Sequence, residues 1–373
     1  MENQIILKAN DNYVELDNYL VTNLIKKVLL VCGSSISLMQ LDCYFENLKS
    51  RTGISVIRFS NFKPNPLYES VVEGIELLHK ENCDMIIAVG GGSAIDVAKC
   101  IKLFSNMDVK QNYLKQSIIP NDLKLLAVPT TAGTGSEATG YAVIYYNGQK
   151  QSVFDESCIP SAVLMDASVL KTLPIYQKKA TMMDALCHAI EAFWSVNSTN
   201  ESRDYSKQAI QAILANMNNY LNNEDSGNAG MLAAANMAGK AINITQTTAG
   251  HAMCYKLTSL YGIAHGHAAA LCVSKLWPYM VEHIDNCIDS RGKEYLERIF
   301  GEIADAMGCN AINEAVTKFQ SIYDELTLCV PKARAEDYDV LSSSVNPVRL
   351  KNNPIMLDER AINTIYHQIL CTI

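Results

Sequence analysis

The sequence predicts two successive architectures, an α/β half built on a parallel sheet and then an all-helical half. Three observations carry that expectation. Short, fully apolar runs alternate with segments of helical period up to about Leu173, the texture of a parallel sheet covered on both faces. Beyond Pro174 the β-branched runs nearly vanish and long helical patterns take over. One apolar run also ends in three consecutive glycines directly before a helical segment, as a strand-to-helix turn does.

Taken in order, Lys27–Gly33 (KVLLVCG), Ser55–Phe59 (SVIRF) and Met85–Gly90 (MIIAVG) read as the first three strands. Between the last two, Val71, Val72, Ile75 and Leu78 recur at helical spacing within Leu67–His79. Lys124–Thr131 (KLLAVPTT) follows another helical segment, and Ala162–Asp166 (AVLMD) comes later. A boundary between Leu173 and Tyr176 then separates residues 1–175 from residues 176–373. In the second half ALCHAIEAFW, KQAIQAILANMNNYL, AGMLAAANMAGKAI and AINTIYHQIL read as helices, the third rich enough in alanine to be buried and closely packed. A cleft between two such halves is a common place for a ligand.

The chain has 373 residues, which at roughly 100–200 residues per domain fits two domains without disulfide staples. Its 31 Lys+Arg against 39 Asp+Glu leave a net charge of −8, which argues against a primary role on nucleic acid or anionic membranes. The segment MENQIILKANDNYVEL places acids before any apolar run, unlike a signal peptide, and no apolar stretch reaches membrane-spanning length. The expectation is a cytoplasmic protein, with its 12 cysteines reduced and mostly buried, because they are scattered without a C-x-x-C pair.

Two groups of motifs carry chemistry. In MIIAVGGGSAIDVAKCIKLF, Gly90, Gly91 and Gly92 let the backbone approach a phosphate at a helix N-terminus, with Ser93 placed to cap that helix and Asp96 at capping-box spacing. VPTTAGTGSEAT offers Thr130, Thr131, Thr134 and Ser136 as donors suited to a pyrophosphate or a nicotinamide amide. The first strand ends in Gly33-Ser34-Ser35 without the acid that would bind a ribose hydroxyl pair, which leaves room for the 2′-phosphate of NADP. In MMDALCHAIEAF, Asp184 and His188 stand at i and i+4, so both project from one helix face. His251 and His265, fourteen residues apart, each sit beside glycine in an otherwise apolar stretch, where an imidazole needs a partner. One Asp and three His make a mixed oxygen and nitrogen site for Fe²⁺, Zn²⁺, Mn²⁺ or Co²⁺.

GGGSAIDVAK, PTTAGTGSEAT, DALCHAIEAF and the spaced histidine pair together resemble the iron-containing (group III) alcohol dehydrogenase family through most of the chain. That resemblance implies a dinucleotide-binding α/β domain followed by an all-α metal-binding domain, in a homodimer or larger assembly. It implies Asp184, His188, His251 and His265 as ligands to Fe²⁺ or Zn²⁺. Gly91, Gly92, Ser93, Asp96, Thr130, Thr131, Ser136 and Lys150 fall on the family's NAD(H) or NADP(H) contacts, Lys150 by counting back from Pro160.

The chain departs from that pattern in two places. Tyr255 stands where most members have a His that relays protons, so Tyr255 or His267 is expected to substitute. Ala264, where members often have Pro, precedes His265. AGHAMCYKLTSLYGIAHGHAAALC together with NPVRLKNNP resembles the family's phosphonate-metabolism branch, phosphonoacetaldehyde reductases that make 2-hydroxyethylphosphonate. A dianionic substrate needs cations and donors near the metal, and Lys256, Arg349, Asn352 and Asn353 are the candidates. The readings left beside this one are a general short-chain alcohol or diol dehydrogenase, and a metal-dependent lyase or hydrolase on the same fold.

Overall fold

The computed structural model describes residues 4–372, and the chain divides into two compact units, Met1–Leu173 and Pro174–Ile373. The first unit is built on six parallel strands: β1 (Ile5–Lys8), β2 (Lys27–Cys32), β3 (Ser55–Phe59), β4 (Met85–Gly90), β5 (Lys124–Pro129) and, after a hairpin of β6 (Tyr141–Tyr146) and β7 (Gln149–Phe154), β8 (Ala162–Met165). Their order across the sheet is β1-β8-β5-β4-β2-β3, with every neighbouring pair parallel. Helices α1 (Val14–Thr22), α2 (Gln40–Thr52), α3 (Tyr68–Glu81) and α4 (Gly92–Phe104) connect them.

Central strands are apolar along their whole length because both faces are covered. Every residue of β4 is buried, as is every residue of β2 and β5 after the first. Val31, Ile86, Ala88 and Leu125 pack with Ile95, Ile101 and Phe104 of α4. Burying each such aliphatic side chain is worth about 1.5–3 kcal/mol, which fixes α4 on the sheet. Two elements go beyond the sequence reading. β1 is a short edge strand with Ile5 and Ile6 exposed, so it shows neither a continuous buried run nor alternation. The β6–β7 hairpin turns at Asn147-Gly148, both with positive φ (51° and 72°), the Asn-Gly pairing that tight hairpins use.

The second unit is helical. Helix α5 (Ile175–Trp194) packs against α6 (Asn200–Leu221), α7 (Asp225–Thr245) and α9 (His265–Glu282), and α8 (Ala249–Tyr261) packs on α9. Helices α10 (Lys293–Ala306), α11 (Ile312–Glu325), α12 (Ala335–Ser343), α13 (Pro347–Leu350) and α14 (Glu359–Ile369) complete the unit. The alanine-rich α7 is buried along Ala234, Ala235, Ala238 and Ala241. Trp194 meets Trp277 and Phe300 edge-on, at ring separations of 5.7 and 6.2 Å. Among the described residues no helix is long and apolar enough to cross a membrane. All 12 cysteines are free, but only six are buried, with three half-buried and three exposed, because several fall in loops and helix ends rather than in core positions.

Candidate functional site

In the first unit three loops leave the carboxyl ends of three neighbouring strands, β5, β4 and β2, the edge where parallel α/β sheets bind nucleotides. A Cβ on Gly91 would stand 3.3 Å from the Thr131 side chain, and one on Gly92 3.3 Å from that of Thr134. The glycine run and the hydroxylated run therefore lie against each other, and side chains would push them apart. Helix α4 begins at Gly92 with Gly91 as its cap, and no side chain caps it. This corrects the expected Ser93 cap. The helix starts earlier than that reading requires, so Ser93 lies within the first turn, and the helix N-terminus is left unplugged, as an anion site needs.

The capping box is absent for the same reason, and Asp96 has another task. Its carboxylate accepts from the Ser136 hydroxyl (2.7 Å) and the Val143 amide (3.1 Å). One helical turn on, the fully buried Lys99 donates from Nζ to Ser136 Oγ (3.2 Å), Thr139 Oγ1 (3.1 Å) and the Tyr141 carbonyl (2.7 Å). Lys99 did not stand out in the sequence. Burial pushes its ammonium down and the Asp96 carboxyl up, while their opposite charges hold each against that drift. Thr130 donates its amide to the Gly90 carbonyl (3.0 Å), and Thr131 Oγ1 is buried without a partner. Gly33 is half-buried and Ser34 and Ser35 are exposed beyond β2, while Lys150 lies on β7 with its charge felt by Asp96.

In the second unit Asp184, His188 and His251 bring one ligand atom each within 4.8 Å of one another, all three buried. The spacing on α5 puts the first two on one face, and α8 delivers the third. Asp184 Oδ1 and His251 Nε2 lie 3.4 Å apart, and neither has a hydrogen-bond partner. A buried polar atom left unpaired costs about 1–3 kcal/mol, so two facing ones, with an imidazole stacked beside them, fit a divalent cation. The His188 and His251 rings stack at 4.3 Å. His265, the first residue of α9, is half-buried just outside this group, its ring 5.4 Å from that of His251. Burial favours the neutral form of Asp184, but His188, His251 and His265 outweigh it and hold the carboxyl well below the usual range.

Behind His251 stands Glu191, which sequence reasoning passed over. One carboxylate oxygen pairs with His251 Nδ1; the other accepts from the Thr248 amide (3.1 Å), the Thr248 hydroxyl (2.6 Å) and the His251 amide (3.2 Å). Trp194 Nε1 donates to the same hydroxyl at 2.9 Å. With Nδ1 engaged, Nε2 is the ring nitrogen that faces Asp184, the arrangement in which an outer carboxylate orients a metal-bound imidazole. Its signal was position: Glu191 follows His188 by one turn of the same helix.

Tyr255 stacks on His265 at 5.4 Å, and the Arg349 guanidinium lies 5.2 Å from the Tyr255 ring centre. Burial raises the Tyr255 hydroxyl far above its ordinary value, against the pull of Arg349. Arg349 Nη1 donates to Thr247 Oγ1 (3.0 Å), and Asn352 Nδ2 to the Thr247 carbonyl (3.2 Å), so both grip the loop that leads into His251. Lys256 is half-buried and makes no ion pair or side-chain hydrogen bond among the described residues. Asn353 is fully buried, and its amide donates to the Ile355 carbonyl (2.8 Å). His267 is held between the hydroxyls of Tyr176 (3.1 Å from Nδ1) and Tyr323 (3.5 Å from Nε2), and burial lowers it to about 4. Both of its ring nitrogens are thus occupied.

A nucleotide-type edge in one unit and a candidate carboxylate–imidazole cation site in the other are the pairing expected of a metal- and nucleotide-linked class of protein. The model described as "Iron-containing alcohol dehydrogenase" matches residues 4–167, and "Fe-containing alcohol dehydrogenase family, C-terminal" matches residues 178–370. The chain belongs to the iron-containing alcohol dehydrogenase family. It is 30% identical over 277 residues to an aldehyde-alcohol dehydrogenase of Streptococcus pneumoniae, a match that takes in 69% of this chain but only 31% of that longer protein. The phosphonoacetaldehyde reductase of Streptomyces viridochromogenes is 29% identical over 316 residues, covering 80% of this chain and 79% of the other. The crystal structure of a sulfoacetaldehyde reductase from Bifidobacterium kashiwanohense in complex with NAD+ shares the fold at a TM-score of 0.83 and 23% identity, covering 98% of this chain and 96% of that one.

Proposed function

We propose that the protein is a metal-dependent, NAD(P)H-linked aldehyde reductase that converts phosphonoacetaldehyde to 2-hydroxyethylphosphonate. The observation that carries the substrate is the column Arg349, Tyr255, His265, which stands a guanidinium over the ring beside a candidate metal ligand. A guanidinium has five donors and Thr247 takes one, so the others suit the oxygens of a phosphonate. Lys256, next in sequence to Tyr255 and without an ion pair, adds a second cation. The relative in Streptomyces viridochromogenes that carries this activity in its name supports the same substrate.

Asp184, His188 and His251, with His265 drawn in, would hold the cation, which supplies Lewis-acid polarisation of a carbonyl oxygen. The α4 N-terminus, Gly91, Gly92 and the Thr130–Ser136 run would bind the dinucleotide, whose nicotinamide is the hydride source. Exposed Ser34 and Ser35, which stand where an acid would exclude it, suit the 2′-phosphate of NADP(H). Tyr255 keeps its proton on Oη at neutral pH because burial raises it, so it is the donor at hand for an alkoxide. His267, with both nitrogens engaged, is left out of that role.

The test is oxidation of NADPH and NADH by iron- or zinc-loaded protein with phosphonoacetaldehyde, run beside propanal. A strong preference for the phosphonate is expected. Equal or better turnover of propanal leaves a general short-chain alcohol dehydrogenase. Oxidation of neither nucleotide with any aldehyde leaves lyase or hydrolase chemistry.

A further inference from the structure

We propose that Tyr176 and His267 form a latch that positions the metal ligand His265. The inference rests on the metal-site reading above. Tyr176 lies in the first turn of α5, the helix that carries Asp184 and His188. Its hydroxyl accepts the amide proton of Ala264 (2.9 Å), the residue immediately before His265 and the cap of α9. A phenol has one proton to give, and the acceptor within reach is His267 Nδ1 at 3.1 Å. With Nδ1 accepting, the ring proton sits on Nε2, where the Tyr323 oxygen (3.5 Å) and the Cys329 backbone receive it, and Tyr323's own proton goes to the Leu328 carbonyl (3.3 Å). The donors thus run in one direction, from Ala264 N–H through Tyr176 to His267, which is held on its far side by Tyr323 and the Cys329 backbone.

A second contact holds the same turn. A Cβ on Gly266 would collide with the Ala180 carbonyl oxygen and with Cβ of Asp184, so the α9 backbone rests directly on α5 beside a ligand. His265 is therefore bracketed by Ala264, fixed through its amide, and by Gly266 and His267, fixed against α5 and two tyrosines. The latch requires an N–H at position 264, which proline lacks. Ala264 has φ −62°, within proline's range, so Ala264→Pro deletes the donor at a φ that proline itself adopts.

The experiment compares Co²⁺ affinity, by chelator competition, and the Co²⁺ visible ligand-field spectrum in the full-length protein, Tyr176→Phe, Ala264→Pro and the double variant. Tyr176→Phe removes one oxygen atom, and circular dichroism with Tm verifies that each variant is folded. Each single change is expected to weaken Co²⁺ binding about 10-fold, the lower end for outer-shell partners, and to alter the spectrum. The double variant should be no weaker than the worse single one, because both delete the same bond. Affinity and spectrum unchanged in Tyr176→Phe, or effects that multiply fully, overturn the latch. An unmodified protein that binds no Co²⁺ overturns the metal-site reading itself.

Discussion

Lys99 and Asp184 are both charged groups sealed inside the protein, yet their surroundings differ. Each of the three Lys99 ammonium protons has an acceptor, at 2.7, 3.1 and 3.2 Å, all on the segment that carries the hydroxyl run. Asp184 Oδ1 faces His251 Nε2 at 3.4 Å with no hydrogen bond to either atom. A buried network whose members are all hydrogen-bonded holds a shape, whereas buried charged atoms that converge without hydrogen-bond geometry mark where something else binds. The first region is a clamp and the second a receptacle, and the difference says which residues to expect at the chemistry.

That comparison can be broken. His188→Ala should have the largest effect, abolishing stoichiometric iron or zinc binding by elemental analysis together with aldehyde reduction, while nucleotide affinity stays within about twofold. Lys99→Met should do the reverse, weakening NADPH binding about tenfold in a fluorescence titration and lowering stability by about 1–3 kcal/mol as Thr139 and Ser136 lose their donor. A Lys99→Met protein that loses metal as readily as nucleotide would end the distinction. Glu191→Gln keeps the shape but removes the charge behind His251, and should weaken metal binding by about 10–100-fold, measured by chelator competition.

Smaller effects sharpen it. Arg349→Gln should raise KM for phosphonoacetaldehyde several-fold more than for propanal, and an equal rise for both would mean that Arg349 serves the loop at Thr247 rather than the substrate. The last is a pH effect, away from either site. Lys178, 2% exposed, donates to Tyr220, Asn223 and Asn228 with no carboxylate to compensate, and burial lowers it to about 8. The unfolded chain then holds a proton that the native state has released, so stability relative to Lys178→Met should rise between about pH 8 and the ordinary lysine value of about 10.4. A flat Tm difference across that range would rule it out.

The sheet was legible wherever strands are buried on both faces, as in β2, β4 and β5, because a continuous apolar run leaves a continuous trace in the sequence. β1 was not, since four residues at an edge with Ile5 and Ile6 in solvent carry no pattern. The β6–β7 hairpin did carry a signal, Asn147-Gly148 directly after the tyrosine-rich run Tyr141–Tyr146, and it went unread. At the metal site the i, i+4 pair could be read from spacing alone, because both residues share one helix. Glu191, Lys99 and Tyr176 could not. Each acts on a segment far away in the chain, and their partners Thr248, Thr139 and Ala264 are supplied only by tertiary packing. The bonds that Asp96 accepts from Ser136 and Val143 were out of reach for the same reason.

Three of the four candidate ligands are buried, while His265 is half-buried at the start of a helix. An ion would then meet His265 from the solvent side and settle against the sealed trio behind it, and on leaving it would pass the same imidazole. Loading and stripping of the metal would then depend on how firmly the first turn of α9 is held against α5, since that turn carries the one imidazole on the path. A preparation held in chelating buffer would lose its ion through that opening, so the identity of the ion is best read from protein taken directly from the cells that made it.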